Sequence, residues 1–401
     1  MRTAVIVGGG IGGLTAALAL RECGWDVTVL EQSPELSEIG AGIQIAPNAT
    51  RVLVALGLRD ALERVAVTPL EQVRRRWSDG EVIASMPMGD ELERRYGAPY
   101  WQLHRGDLFR VLLDACRDPD EEGRVVRILT SFPVVSVEDS GARATAVAAD
   151  GRRVSGDLLL GADGLRSTVR TSAGFPGELL RENEISYRAL IPRTVLEADP
   201  ETEWITHRPD NTLWYGPGAH AVHFFLHSGE TLCLVVQKHG SDARLDDAPS
   251  ALVTRDEFVA TVPGWTPRLL SLLAKAGDDV LLQRLLHRAP HDDWVHGRIA
   301  LLGDAAHAML PYQGQGGSQA IEDAGVLAAE LEGPGADDID AALERYRARR
   351  APIAAELQRA SLVNKHFLHL PDGPEQRARD ALLRHRFAGD GGVTFDWMWS
   401  H

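Results

Sequence analysis

Gly8, Gly10 and Gly13 stand in the spacing G-x-G-x-x-G, after a short β-rich run at 3–7 and before an Ala- and Leu-rich helical run at 14–22. A second strand-like run at 27–30 leads directly to Glu31. This order is that of a βαβ unit whose first turn binds the pyrophosphate of a dinucleotide. Gly8 permits the tight turn, Gly10 lets the backbone approach the phosphates, and Gly13 lets helix and strand pack closely. The exposed N–H groups of the helix start add a fixed positive dipole, and Ile11, within the glycine turn before it, is a further cofactor candidate. Glu31 is placed to accept hydrogen bonds from ribose hydroxyls, and its charge disfavours a 2′-phosphate. An NAD-dependent dehydrogenase would open in the same way, so this motif leaves the dinucleotide undecided.

The elements that must position these residues belong to a chain of 401 residues, enough for two or three units with sizeable cores. Its 44% hydrophobic and 25% charged content is that of a globular protein. With 42 basic and 57 acidic residues the net charge is −15, which speaks against general affinity for nucleic acid or anionic membrane. An anionic substrate therefore needs a locally cationic pocket. Cys23, Cys116 and Cys233 are widely spaced and form no C-x-x-C pair, which suggests a reducing, cytoplasmic setting and no structural metal site. Arg2 followed by the uncharged run 4–20 mimics a signal peptide or membrane span, but the glycines at its centre argue against both.

Further along, a helix is expected near 103–116, strands at 125–129 and 134–137, and a buried strand at 158–160 ending in GADG. Between 182 and 283 the texture changes to aromatic and β-branched runs such as TLWYG, AVHFFL and TLCLVV. A buried strand at 298–302 leads to GDAAH, a glycine-rich loop and a helix over 318–331. The segment 337–370 has a long charged helical pattern, and the last thirty or so residues read as a polar extension.

GDLLLGADGLRSTVR at 156–170 and GRIALLGDAAHAMLPYQGQGGSQAIEDAGVLAAEL at 297–331 resemble the second and third signatures of the flavin-dependent aromatic hydroxylases. Within that family the chain is most similar to the salicylate, 3-hydroxybenzoate and 6-hydroxynicotinate hydroxylase branch. The resemblance implies an α/β fold like that of p-hydroxybenzoate hydroxylase, in which a Rossmann-type FAD-binding domain carries an inserted, mostly β substrate domain and C-terminal helices. The implied division assigns 1–70, 101–181 and 284–335 to the FAD domain, 71–100 and 182–283 to the substrate domain, and 336–401 to a C-terminal helix and tail. It also implies FAD as cofactor, NADH or NADPH as a transient reductant and O2 as co-substrate. In the family, Asp304 would contact the ribityl chain and Gly314, Gly316 and Gly317 would meet the flavin ring. Gly42, in GAGIQIAPNA, would lie beside the flavin, Arg105 would reach the ribityl and diphosphate, and Asp163 would touch cofactor. No second G-x-G-x-x-G follows a later strand, so the nicotinamide nucleotide would have no Rossmann site of its own.

Family chemistry passes through a flavin C4a-hydroperoxide that attacks an electron-rich ring, so the protein must hold the ring, exclude water and withdraw a phenolic proton. His220 aligns with a family histidine of the substrate pocket, in G-P-x-x-H-x-V. The family often has Tyr four residues later, where this chain has Phe224. Strand alternation puts His220, Val222 and Phe224 on one face and His223 on the other. The proline of the family loop, here Pro311, offers its carbonyl to the substrate hydroxyl, and Gln313 and Tyr312 follow as pocket candidates. Trp214 and Tyr215 could stack on an aromatic ring. Arg188 is a candidate carboxylate partner, and His307 reads as a helix-cap residue. The substrate expected is a small phenolic or heteroaromatic acid, bound by a monomer or homodimer. A larger polycyclic natural product and a non-catalytic FAD sensor are the alternatives.

Overall fold

The computed structural model describes residues 2–36, 40–332, 338–387 and 395–400. Strand Thr3–Val7 lies at the middle of a six-stranded sheet ordered Val295–His296, Ile299–Leu301, Leu158–Gly161, Thr3–Val7, Asp26–Leu30 and Arg127–Leu129. All neighbours are parallel except the short Val295–His296 edge. The runs TAVIV, DVTVL and LLLG are almost continuously apolar because helices cover both faces of a parallel sheet. Helix Ile11–Glu22 crosses from the first of these strands to the second, and a Cβ on Gly13 would lie 2.0 Å from Gly8 O. Gly8 itself adopts φ +109°, a conformation that residues with a side chain rarely take. Among the described residues, no helix is long and apolar enough to cross a membrane.

A second sheet has eight strands, ordered Ser250–Val253, Val280–Arg288, Leu179–Pro192, Thr231–His239, Ala219–Leu226, Asn211–Gly216, Glu71–Arg76 and Val82–Pro87. Asn211–Gly216 and Glu71–Arg76 run parallel, and the other pairs are antiparallel. The sheet thus takes two strands from 71–87 and starts at Leu179. One face is sealed by helices Arg255–Val259 and Pro267–Leu273 over a core that includes Trp214, Leu234, Phe258 and Leu269. The first of these helices begins with a capping box, in which Thr254 Oγ1 accepts from Glu257 N and the Glu257 carboxylate accepts from Thr254 N. The other face looks toward the six-stranded sheet across a deep cavity.

Helix Gly316–Glu332 packs between the first helix and the thirty-residue helix Ile339–Leu368, which is N-capped by Asp338. A fully buried polar group joins the two later helices. Arg350 Nε donates to Asp323 Oδ1 at 2.7 Å, Arg350 Nη1 lies 2.9 Å from Glu322 Oε1, and His307 Nε2 meets Asp323 Oδ2 at 2.7 Å. His307 is therefore a member of the buried network rather than a helix cap.

The C-terminus departs from the polar extension expected. Helix Pro374–Phe387 follows the long helix, and the short helix Asp396–Trp399 returns to the body of the protein. Met398 and Trp399 are buried, Trp399 meets Tyr96 edge-on at 5.2 Å, and Tyr96 Oη donates to Asp396 Oδ1 at 3.0 Å. Apolar residues in an otherwise polar tail marked an anchoring site that composition averaged away.

Arg350→Met leaves two buried carboxylates without their cation and should cost about 3–5 kcal/mol, read as a fall in the urea midpoint. Burial pushes the Asp323 carboxyl up, but His307 and Arg350 outweigh it and hold the pKa at about 2. Its contribution is therefore present above the unfolded value of about 4 and lost as pH falls toward 2. Asp323→Asn should flatten that acid limb in a stability-versus-pH series.

Candidate functional site

The cavity between the sheets encloses about 1570 Å³, larger than the ~300–1,000 Å³ of an ordinary ligand pocket and roomy enough for a dinucleotide with a second molecule. One half is lined by backbone. Gly10, Ile11, Gly42, Arg105, Asp304, Gly314, Gly316 and Gly317 all border it, together with 164–166. Helix Ile11–Glu22 starts at its wall with no side chain capping the first turn, so N–H groups and the positive helix end face the space. A Cβ on Gly10 would meet nothing within 4 Å, whereas one on Gly42 would fall 2.5 Å from the Phe224 ring and one on Gly317 2.7 Å from Ile43. Gly314 takes φ +64° at the end of the 3-10 turn Pro311–Gln313, and helix Gly316–Glu332 then points its N-terminus into the cavity. A phosphate-binding helix start at one end and a flat, side-chain-free slot at the other fit the phosphates and planar ring of FAD.

Asp304 follows Gly303, which is the N-cap of the short helix Asp304–His307, and its exposed carboxylate borders the cavity within the electrostatic range of Arg288. Arg105 starts helix Arg105–Arg117, and its stem packs against Gly40. Four cofactor candidates stand behind the wall instead of on it. Gly8 and Gly13 shape the turn. Glu31 accepts from Gly9 N and Ser33 N, at 2.9 and 2.8 Å, and so braces the glycine loop. Asp163 is turned inward, accepting from Ser167 Oγ, Thr168 N and Val169 N, and burial raises its pKa despite those donors. Asp163 thus ties down the loop whose 164–166 backbone borders the cavity.

The other half of the cavity is the open face of the eight-stranded sheet. His220, Val222 and Phe224 alternate onto it from Ala219–Leu226, and Tyr215 and Leu213 join them from the neighbouring strand. His223 points to the far face, beside Trp214 and Trp204. Trp214 needs a correction. It is fully buried in the core beneath the sheet, because adjacent strand residues point to opposite faces and Tyr215 already takes the cavity side. Pro311, Tyr312 and Gln313 form the far wall; Pro311 O accepts from Gly314 N at 3.0 Å, and Tyr312 Oη donates to Glu184 Oε2 at 2.9 Å. His220 is buried, which pushes its pKa down to about 3, so the ring is neutral near neutral pH.

Arg74, Leu213 and Val235 line the cavity without any signal in the linear sequence. Cross-strand register aligns Arg74, Leu213, Val222, Val235 and Arg188 in one row, and all five border the cavity. Arg74 lies in the run VRRRW, where strand alternation picks out its face only once the strand is known to be internal. Its Nη1 and the Nε of Arg188 are buried without hydrogen-bond partners, and neither residue forms an ion pair among the described residues. Burial, with Arg105 nearby, lowers the Arg188 pKa from its ordinary value. Gln44 accepts from the Tyr100 hydroxyl and, at 3.0 Å, from Asn211 Nδ2, which ties the backbone-lined half to the sheet.

A family model described as an FAD binding domain matches residues 1–249 and 284–361. The chain is 35% identical to 3-hydroxybenzoate 6-hydroxylase 1 of Aquipseudomonas alcaligenes, over 98% of this chain and 95% of that one. It is 37% identical to 3-amino-4-hydroxybenzoate 2-monooxygenase PtmB3 of Streptomyces platensis, over 94% and 91% of the two chains. Among solved structures, Klebsiella pneumoniae HpxO complexed with FAD and uric acid superposes with a TM-score of 0.81 at 26% identity, covering 96% of this chain and 93% of that one. With the uncapped helix starts and the side-chain-free slot already in place, these matches assign the chain to the FAD binding domain family, among the flavin-dependent aromatic hydroxylases.

Proposed function

We propose that the chain is an NAD(P)H-consuming hydroxylase of a small phenolic or hydroxylated heteroaromatic acid. The observation that carries this reading is the row of residues ending in Arg74 and Arg188. A chain of net charge −15 places two cations, buried Arg74 and half-buried Arg188, on the same sheet face as His220, with no ion-pair partner for either among the described residues. Leaving such groups unpaired is costly, and a substrate carboxylate would satisfy either fork. Segments 1–70, 101–181 and 284–335 would then serve the cofactor, and 71–100 with 182–283 the substrate.

Bound FAD would supply dioxygen activation and delivery of one oxygen atom, after reduction by the nicotinamide nucleotide. The chain's own residues prepare the ring that receives it. A free phenol has a pKa of about 10, so little of it is ionised at neutral pH. Neutral His220 can accept the phenolic proton at the nitrogen that faces the cavity, and a positioned base contributes roughly 10²- to 10⁴-fold. Its depressed pKa makes it a weak base when the cavity holds no anion; a carboxylate and a developing phenolate beside it would stabilise the imidazolium. Tyr215, Val222 and Phe224 hold the aromatic plane, and Phe367, Phe387 and Trp399 close the cavity from the C-terminal side, limiting water. Asp304, Gly10 and the 314–317 backbone would retain the cofactor.

Screening hydroxybenzoates and hydroxynicotinates for accelerated NADH or NADPH oxidation, with product mass determined, should find acids that gain one oxygen atom; oxidation without any oxygenated product would remove the reading. His220→Ala should lower the hydroxylation rate about 10²-fold or more with the FAD content unchanged. Arg188→Gln should raise KM for the acid far more than it lowers kcat, and a matching amide substrate should lose that difference. Asp304→Ala should release FAD on gel filtration, and full flavin occupancy would exclude a retaining role.

A further inference from the structure

His220 does not end the polar chain that begins at the cavity. Its Nδ1 lies 2.8 Å from Nε2 of His369, a buried residue at the C-terminal end of helix Ile339–Leu368. The other nitrogen of His369, Nδ1, is buried without a hydrogen-bond partner. Near the His369 ring stand Glu184, on strand Leu179–Pro192, and His239, at the end of strand Thr231–His239. Ligand atoms of His369, Glu184 and His239 lie within 4.8 Å of one another. His239 meets His369 edge-on at 5.0 Å and has half its side chain in solvent. Four elements distant in sequence thus align His220, His369, the Glu184 and His239 pair, and bulk water.

We propose that His369 is the proton exit of the site, passing the proton taken by His220 to the Glu184 and His239 pair and thence to solvent. This rests on the reading of His220 as the group that deprotonates a phenol. The substrate O–H bond breaks with its electron pair left on oxygen, and an N–H bond forms at the cavity-facing nitrogen of His220. The Nδ1 proton of His220 moves to His369 Nε2, and the Nδ1 proton of His369 leaves through a water that spans the gap to Glu184 and His239. No oxidant or reductant is involved, and the starting tautomers are restored when the cavity-facing N–H of His220 gives its proton to the product phenolate while solvent returns one to His220 Nδ1 through His369.

The physical need for such an exit is plain. Burial holds both histidines well below the ordinary imidazole range, His369 at about 2, with His220, His239 and Lys365 adding to its depression. A proton parked on either ring is therefore expensive, and shared transfer to an exposed group removes that cost. The charged and titratable groups around His369 suit the direction of transfer. Glu184 receives the Tyr312 hydroxyl on Oε2 and has Lys365 Nζ at 3.8 Å from Oε1, while Lys365 also pairs with Glu182 at 2.8 Å. Tyr312 borders the cavity and donates to Glu184, and burial with the Glu184 charge raises its pKa far above neutral. Gly218 N donates to the His369 carbonyl at 3.0 Å and fixes the residue against the sheet.

The test uses the FAD-loaded full chain under anaerobic conditions without reductant, mixed rapidly with 3-hydroxybenzoate, salicylate or 6-hydroxynicotinate. Phenolate appearance is followed by absorbance and proton release by an indicator dye. In the wild type the two signals should rise together. His369→Gln keeps a hydrogen bond to His220 but cannot relay a proton, so it should slow both signals about tenfold or more and shift their pH dependence, with flavin content and the Kd for unsubstituted benzoate unchanged. His239→Gln, on the exposed side, should slow proton release and leave folding intact, which keeps the test informative if the His369 variant is unstable. Wild-type rates and pH profiles in both variants would overturn the relay alone. A wild type that binds the acids without forming phenolate, or binds none of them, would overturn the reading of His220 and the relay with it.

Discussion

The site depends on how closely the backbone around Gly42 can approach the eight-stranded sheet. A Cβ there would fall 2.5 Å from the Phe224 ring, so only a glycine lets strand Gly42–Ile45 lie against Ala219–Leu226. Gly317 is packed in the same way, with a Cβ there falling 2.7 Å from Ile43. Both are steric constraints, and steric constraints are steep. The loss of an ångström of approach at either point would separate the backbone-lined half from the half that carries His220.

Charge is distributed in the same economical manner. The chain is acidic as a whole, yet Arg74 and Arg188 face the cavity, and the Arg350, Asp323 and His307 group lies buried behind the helix that points into it. The second group has its charges matched within the protein and holds helix to helix. The first has no carboxylate paired with it among the described residues, whereas Arg350 lies against both Asp323 and Glu322. Burial keeps His220 and His369 neutral, since a low-dielectric surrounding disfavours a standing imidazolium.

The C-terminal segment contributes more to the site than its composition suggests. Helix Ile339–Leu368 delivers His369 to the back of His220, and Trp399 packs against Tyr100, whose hydroxyl reaches Gln44 on the cavity wall. Closing the cavity with a late segment of the chain means that the site is complete only after the whole molecule has folded.

Local patterns carried much of this. The spacing of Gly8, Gly10 and Gly13 between strand and helix encodes a backbone geometry that requires particular residue types, and with the family resemblance of 156–170 and 297–331 it made the α/β class and the use of FAD readable from the chain. Alternation likewise placed His220, Val222 and Phe224 on one face, because the side-chain period of a strand is a local property. Which face that was, and that Trp214 lies on the other, depended on the helices at 255–273 sealing one side. The row from Arg74 to Arg188 and the pairing of His220 with His369 were decided by tertiary structure alone. They join residues up to 149 positions apart, and no local propensity records which distant strand or helix end will supply a buried polar atom with its partner.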